Sequence, residues 1–205
     1  MDEFEVIERI EKAGTGETYI LAIEFVKPTM IKFRTAVHLK KGDMLTLNDK
    51  AVFHGKDQVG EVFERKSRDD VAMDREFDIK YTGGYSFDGK TIYLDEHFPK
   101  ILKVEGKDIN AEDTIGYHHE LPEKWMSDEK YEYPYAHETA TGIEKKYVEY
   151  LGVTWKGYCD QVDKNLRNVY SRTLGKSPSS LDLAPYLYCR DQEALKEIRN
   201  SEPEE

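Results

Sequence analysis

Hydrophobic and polar positions alternate over much of the first 65 residues, and this alternation predicts short β-strands. Two of the runs are β-branched and aromatic, YILAIEFV (19–26) and MIKFRTAV (30–37), and three shorter ones follow, MLTL, AVFH and GEVFER. Residues 3–12 (EFEVIERIEK) instead have helical spacing, so a short amphipathic helix that ends before Gly14 is predicted there. We therefore expect a small β-rich module over residues 1–68, whose role the sequence does not indicate.

The pattern changes over residues 67–76, which are highly charged and lack strand periodicity, and a domain boundary is predicted there. Residues 77–81 and 91–98 predict a pair of strands, and after Pro99 the pattern becomes helical. Helices are predicted over residues 112–127, 134–151, 154–173 and 190–200. The second domain is thus expected over residues 69–200, followed by a frayed acidic tail, 201–205. The expected fold class is α+β, with a mostly helical second domain that carries a short β element.

Composition narrows the choice of partners and compartment. The chain has 205 residues and a formal charge of -11, which disfavours binding to nucleic acid. No apolar run approaches the ~20 residues that a membrane span needs, and the N-terminus is acidic where a signal peptide would be basic. The two cysteines, Cys159 and Cys189, form no CxxC pair. We expect a reduced, cytoplasmic protein without membrane or nucleic-acid partners; the sequence gives no indication of its oligomeric state.

The motif with the clearest chemistry is HExxE, from His119 to Glu123. Residues four apart share one face of a helix, so His119 and Glu123 could bind the same metal ion. Glu120, next to His119, could then accept a proton from the attacking water. This is the logic of HExxH with a carboxylate in place of the second imidazole. Pro122 lies inside the motif and requires that the helix begin near His118 or bend there.

A catalytic zinc site generally has three protein ligands, and His137 is the candidate for the third. It lies in the first turn of the next predicted helix, where the small residues Ala140 and Thr141 would permit close approach of a second helix. Glu144, seven residues further, falls on the same face as His137. It is either a fourth ligand or a hydrogen-bond acceptor for an imidazole.

These residues carry a resemblance to a known family. HExxE followed by YxxAHxxAxxxE resembles small bacterial and phage metallopeptidase-like proteins, which are similar to the gluzincin branch of the zincin zinc peptidases. The matching positions are His119, Glu120, Glu123, Tyr133, Ala136, His137, Ala140 and Glu144. The resemblance covers residues 77–185 and leaves out the β-rich module. It implies a zincin-like second domain.

The function expected from these observations is zinc-dependent hydrolysis of a peptide or protein substrate. Zn²⁺ would be held by His119, Glu123 and His137, with Glu120 as the general base. Tyr133 is the candidate to stabilise the oxyanion of the reaction.

Two alternatives remain open at this point. The chain could be a non-catalytic phage or bacterial interaction protein with a structural metal, or a metal-dependent hydrolase that acts on something other than peptides. A di-iron carboxylate site is disfavoured, since it would need Glu-x-x-His motifs and none occurs. We expect His118 to be a neighbour of the site rather than a ligand. Asp95, Glu96 and His97 would be a polar strand end or the edge of a cleft.

Overall fold

The computed structural model describes residues 2–201 and confirms the α+β class. The chain forms two compact units, and the division between them falls between Asp70 and Val71; the sequence pattern had suggested residue 68. Of the predicted tail, residues 202–205 lie outside the described range. Ser201, its first residue, is buried at the end of a helix rather than frayed.

The first unit is a closed barrel of six antiparallel strands. They are β1 (Asp2–Glu11), β2 (Thr18–Glu24), β3 (Thr29–Arg34), β4 (Met44–Asn48), β5 (Ala51–His54) and β6 (Asp57–Ser67). The order around the barrel is β1-β2-β3-β6-β5-β4. Alternating side chains such as Ile20, Phe33 and Val52 fill its interior. The five strands predicted from alternation are confirmed.

The helix predicted over residues 3–12 is wrong, because this segment is strand β1. Phe4 and Val6 point into the barrel core, and β1 pairs with β2 on one side and with β4 on the other. The spacing of the apolar residues fits a helix as well as a strand. The strand forms because its backbone groups complete the ring of hydrogen bonds, which removes two exposed sheet edges.

The second unit begins with a three-stranded sheet of β7 (Ala72–Asp74), β8 (Gly83–Tyr85) and β9 (Thr91–Leu94), in the order β7-β9-β8. β7 lies in the segment expected to lack strands. The predicted strand 77–81 does not form; the Ile79 N–H instead donates to the Asp95 carboxylate. Tyr81 and Thr82 have φ values of 67° and 81°, a left-handed conformation that ends any extended run.

A β-hairpin follows Pro99, where the sequence predicted helical character. Its strands are β10 (Ile101–Val104) and β11 (Lys107–Asn110). Glu105 and Gly106 form the turn with φ values of 50° and 81°, the conformation that a two-residue hairpin loop requires. The Glu105 carboxylate accepts a hydrogen bond from the Thr154 N–H at 3.0 Å. The hairpin turn is therefore attached to the start of a later helix.

The four predicted helices are found at the expected positions in the chain, but they begin and end at different residues. The elements of the helical part are a π-helical segment Glu112–Glu120, α1 (Leu121–Asp128), α2 (Tyr133–Tyr150), α3 (Trp155–Tyr170), a short α4 (Ala184–Tyr188) and α5 (Gln192–Ser201). α4 lies between the last two predicted helices. Leu94, Ile115, Val148 and Tyr158 belong to the core that joins sheet, hairpin and helices. Within residues 2–201, no helix has the length and apolar character needed to cross a membrane.

Candidate metal centre

The helix that carries HExxE changes its pitch inside the motif. The π-helical segment passes directly into α1, and the Leu121 N–H donates to the Gly116 carbonyl, five residues back. Pro122, in the first turn of α1, needs no N–H partner there. The chain thus accommodates the proline by a change of helix type rather than by a new start near His118. π-turns of this kind are frequent at functional sites.

Helix α2 presents the second half of the site. It packs against both the π-helical segment and α1, and its contact face is made of small side chains. Ala136 and Ala140 are fully buried, so the backbones can approach closely, whereas Thr141 is only half-buried. His137 in the first turn and Glu144 two turns later both face the HExxE helix, as their spacing predicted.

Three candidate ligand atoms meet at one point between these helices. His119 Nε2 lies 3.6 Å from Glu123 Oε2 and 3.1 Å from His137 Nδ1. His137 Nδ1 lies 2.8 Å from Glu123 Oε2. Ligand atoms at tetrahedral angles around zinc, each about 2.0–2.2 Å from the ion, are about 3.3 Å apart. The three side chains therefore fit a zinc ion, and the two imidazoles with one carboxylate are a donor set typical of zinc.

Two further side chains orient these candidates. His119 Nδ1 lies 2.9 Å from Glu144 Oε2, and the buried Tyr158 donates its hydroxyl proton to Glu144 Oε1 at 2.5 Å. A carboxylate only accepts, so Nδ1 of His119 carries a proton and Nε2 is the atom directed at the shared point. Tyr85 donates to Glu123 Oε1 at 3.0 Å and leaves Oε2 for the shared point. Glu144 thus contacts the far side of His119 and is not one of the three.

The local charge favours a cation. Burial opposes charge on His119, but hydrogen bonds with Glu123 and Glu144 hold the pKa of His119 well above its ordinary value. Burial likewise works against ionisation of Glu123, yet hydrogen bonds with His119 and His137 lower the pKa of Glu123 to about 2. In the absence of a metal the site therefore retains a proton as its positive charge, and a metal ion must displace that proton.

Glu120 stands beside the three candidate ligands without being one of them. Its carboxyl group lies against Gly83 of β8 and faces a cavity. Burial, together with the neighbouring Glu123 carboxylate, raises the pKa of Glu120 to about 8. A carboxyl whose pKa lies near neutrality is suited to exchanging protons at neutral pH.

The cavity beside the site has a volume of 510 Å³, within the usual range for small-molecule or peptide side-chain sites. His119, Glu123 and His137 form part of its wall. Tyr133 also lines it and packs on His137, with 5.5 Å between ring centroids. Burial raises the pKa of Tyr133, which keeps its hydroxyl protonated. Its role as an oxyanion donor stays a prediction.

No family model matches the chain, and no match was found among curated proteins or among solved structures. A function must therefore be inferred from the chemistry of the site itself.

Three residues that matter to this geometry escaped the sequence analysis, namely Gly83, Tyr85 and Tyr158. The chain has 14 tyrosines, and such a frequency suits a core that lies next to a solvated cleft. Nothing in their spacing connects Tyr85 or Tyr158 to the motif, because they come from a strand and from another helix. Gly83 lies between the two strands predicted over residues 77–81 and 91–98, where nothing in the sequence connects it to Glu120.

The remaining histidines near the motif have other partners. His118 is buried, with its ring stacked on Tyr147 at a centroid distance of 3.5 Å, and so lies apart from the three ligands. His97 Nδ1 lies 3.0 Å from Asp78 Oδ1, and Arg172 donates to His97 Nε2 at 2.8 Å. Because a guanidinium only donates, both ring nitrogens of His97 are used.

The carboxylates of this second cluster are also occupied. Asp95 accepts from the Ile79 and His97 N–H groups, and Asp78 accepts from the Gly175 N–H. Asp78, Asp95 and His97 therefore connect three loops by hydrogen bonds, an arrangement closer to the predicted polar strand end than to a cleft edge.

The contact between Gly83 and Glu120 gives a first test. A Cβ at residue 83 would lie 2.5 Å from Glu120 Oε1 and 2.9 Å from its Cδ. We expect Gly83→Ala to displace the Glu120 carboxyl while leaving the three candidate ligands in place. The variant should keep the metal content of the parent, and any hydrolysis that depends on the Glu120 carboxyl should become about 100-fold slower. Zinc content and turnover, measured on the same preparation, check this.

Gly142→Ala is the matched control, since a Cβ at residue 142 of α2 meets no atom within 4 Å. It should preserve zinc content and turnover and stabilise the protein by about 0.5–1 kcal/mol. Full activity in Gly83→Ala would show that the position of the Glu120 carboxyl does not matter.

Proposed function

We propose that the protein is a zinc-dependent hydrolase that cleaves peptide bonds in a peptide or protein substrate. The observation that carries the proposal is the convergence of His119 Nε2, His137 Nδ1 and Glu123 Oε2 at distances of 2.8–3.6 Å on the wall of a cavity. The choice of a peptide bond follows from the resemblance of the motif to zinc peptidases. Both cysteines are free thiols, and we extend the proposal to a reducing, cytoplasmic compartment.

The residues would divide the chemistry among them. When held by the three ligands, zinc lowers the pKa of water and polarises a carbonyl oxygen. Glu120 would accept the proton of the attacking water and pass it to the leaving amine. Its raised pKa favours the second transfer, and a neighbouring cation favours the ionised form that the first one needs. The Tyr133 hydroxyl would donate to the negative oxygen that develops on the carbonyl carbon.

The number of ligands supports catalysis over a purely structural metal. A structural zinc site is generally closed by four protein ligands, whereas a catalytic site keeps one position open. Glu144, the fourth candidate, contacts His119 Nδ1 and the Tyr158 hydroxyl instead. A non-catalytic interaction protein would have no need for an open position beside a cavity that also contains Glu120.

The direct experiment is reconstitution. The purified full-length chain is stripped with a chelator, loaded with zinc, and incubated with a mixture of unstructured peptides whose fragments are identified by mass spectrometry. We expect about one zinc per chain, cleavage in the loaded form, and none after chelation. A chain that binds no zinc after loading contradicts the metal site; one that binds zinc and cleaves nothing contradicts the catalytic role.

A further inference from the structure

The cavity continues beyond the candidate metal centre into a wall of aromatic rings. Tyr81 packs edge-on against Tyr170, with ring centroids 5.2 Å apart, and stacks on Tyr186 at 6.0 Å. We call these three residues the aromatic shelf. Tyr81 is 41% exposed and Tyr170 is 42% exposed, so ring surface remains available to a ligand.

The shelf is held in place at some conformational cost. Tyr81 and Thr82 both adopt left-handed backbone conformations, which non-glycine residues rarely do without support. The Tyr186 hydroxyl donates to the Lys80 carbonyl at 3.1 Å, and the Tyr81 hydroxyl donates to the Asp191 carboxylate. Backbone strain of this kind is concentrated at functional sites. The strained segment therefore places the Tyr81 ring beside the Asp191 carboxylate on the cavity wall.

Carboxylates predominate in the lining of the cavity. Among the described residues that line it are five carboxylates and no Lys or Arg: Glu120, Glu123, Glu144, Asp182 and Asp191. Three of these carboxylates, Glu123, Glu144 and Asp191, outnumber the two positive charges of a divalent ion. Such a wall disfavours an acidic side chain and attracts a cationic one.

Asp191 is the carboxylate left to bind a ligand. Glu123 and Glu144 contact imidazoles, and Glu120 is the proposed base. Asp182 forms an ion pair with Lys124 at 3.3 Å and accepts the Ala184 N–H. Asp191 accepts from the Tyr81 hydroxyl and from the Ala194 N–H, and no Lys or Arg within residues 2–201 neutralises it.

We propose that the cavity binds a cationic side chain, Lys or Arg, of the peptide substrate, with Asp191 and the aromatic shelf as the residues that set this preference. The inference rests on the proposed function, whose substrate it specifies. The side chain's aliphatic part would lie on the tyrosine rings, which also attract its charge. Its charged end would bind the Asp191 carboxylate in a charge-assisted hydrogen bond.

The test uses peptides that are acetylated and amidated at their ends and differ at one position, which is Lys, norleucine or Glu. Their binding to the zinc-loaded, full-length Glu120→Gln chain is measured by fluorescence anisotropy, and their turnover is measured with the parent chain. We expect the Lys peptide to bind and react at least about tenfold better than the norleucine peptide, and the Glu peptide to be worst.

Asp191→Asn keeps an acceptor for the Tyr81 hydroxyl and a good helix cap, so the fold should persist. It should remove most of the preference for Lys, measured as the ratio of the Lys peptide to the norleucine peptide in binding and in turnover. Asp160→Asn, an equal change of charge at an exposed site of α3, should retain the preference.

The two proposals fail in different ways. If the parent hydrolyses all three peptides without preference for Lys, or if that preference survives Asp191→Asn, the cationic pocket is overturned and the proposed hydrolase activity stands. If the Lys peptide binds preferentially but the parent hydrolyses none of the peptides, the proposed hydrolase activity is contradicted and a cation-selective peptide-binding site remains. Equal binding of all three peptides, or none, overturns the inference.

Discussion

Glu120→Gln should retain its zinc and hydrolyse peptides about 10²–10⁴-fold more slowly than the parent chain. Gln has the shape of Glu but cannot accept the proton of the attacking water. The Glu120 carboxyl faces the cavity beside Gly83 and lies outside the three candidate ligand atoms. Metal binding should therefore not depend on it. Zinc content and peptide turnover, measured on one preparation, check both parts of the expectation.

Glu123→Gln should have the opposite effect, with zinc affinity reduced more than about 100-fold. Glu123 is 3% exposed and shares its Oε2 with both imidazoles. Glu138→Gln, at an exposed position next to His137, is the matched control and should change neither property. If Glu120→Gln loses the metal while Glu123→Gln keeps it, the roles of the two carboxylates are reversed.

Zinc should also stabilise the folded chain, by about 4 kcal/mol at a free concentration a thousandfold above its dissociation constant. The ion binds the assembled ligands and stabilises only the state in which they are together. His137→Ala should abolish most of this gain with little effect on the metal-free chain, because the His137 side chain is 48% exposed. Scanning calorimetry with and without zinc measures both quantities.

His54→Ala, at an exposed position in β5 of the barrel, provides the control and should keep the full stabilisation by zinc.

The stabilisation by zinc should decrease as pH falls, because the pKa of His119 is raised and protons compete with zinc for its ring. An undiminished gain in His137→Ala would place the zinc elsewhere.

Local spacing explains which parts of the site could be predicted. His119 and Glu123 are four residues apart on one helix, and helical geometry alone brings their side chains together. His137 and Glu144 are seven residues apart, about two turns, and therefore lie on the same face of α2. Tyr85 reaches Glu123 from 38 positions away in the sequence, through the packing of a strand on a helix. No residue spacing encodes such a contact, so it became visible only in the fold.

The errors in secondary structure have a similar origin. In β1, apolar residues fit helical and strand spacing equally, and the pairing with β4 that decides the outcome involves residues some forty positions later. Residues 77–81 have strand-like composition, but the Asp95 side chain takes the Ile79 N–H that a neighbouring strand would have used. In both segments tertiary contacts outweigh local preference.

The closeness of the candidate ligands in sequence has a consequence for the order of folding. His119 and His137 are separated by 18 residues, so bringing them together closes a short loop at small entropic cost. Contacts between nearby residues are expected to form before those that join distant segments, such as the pairing of β1 with β4 and the contact between Tyr85 and Glu123. Zinc bound by the proposed ligands would therefore stabilise the helical hairpin of α1 and α2 before the sheet that contacts Glu120 has to be in place.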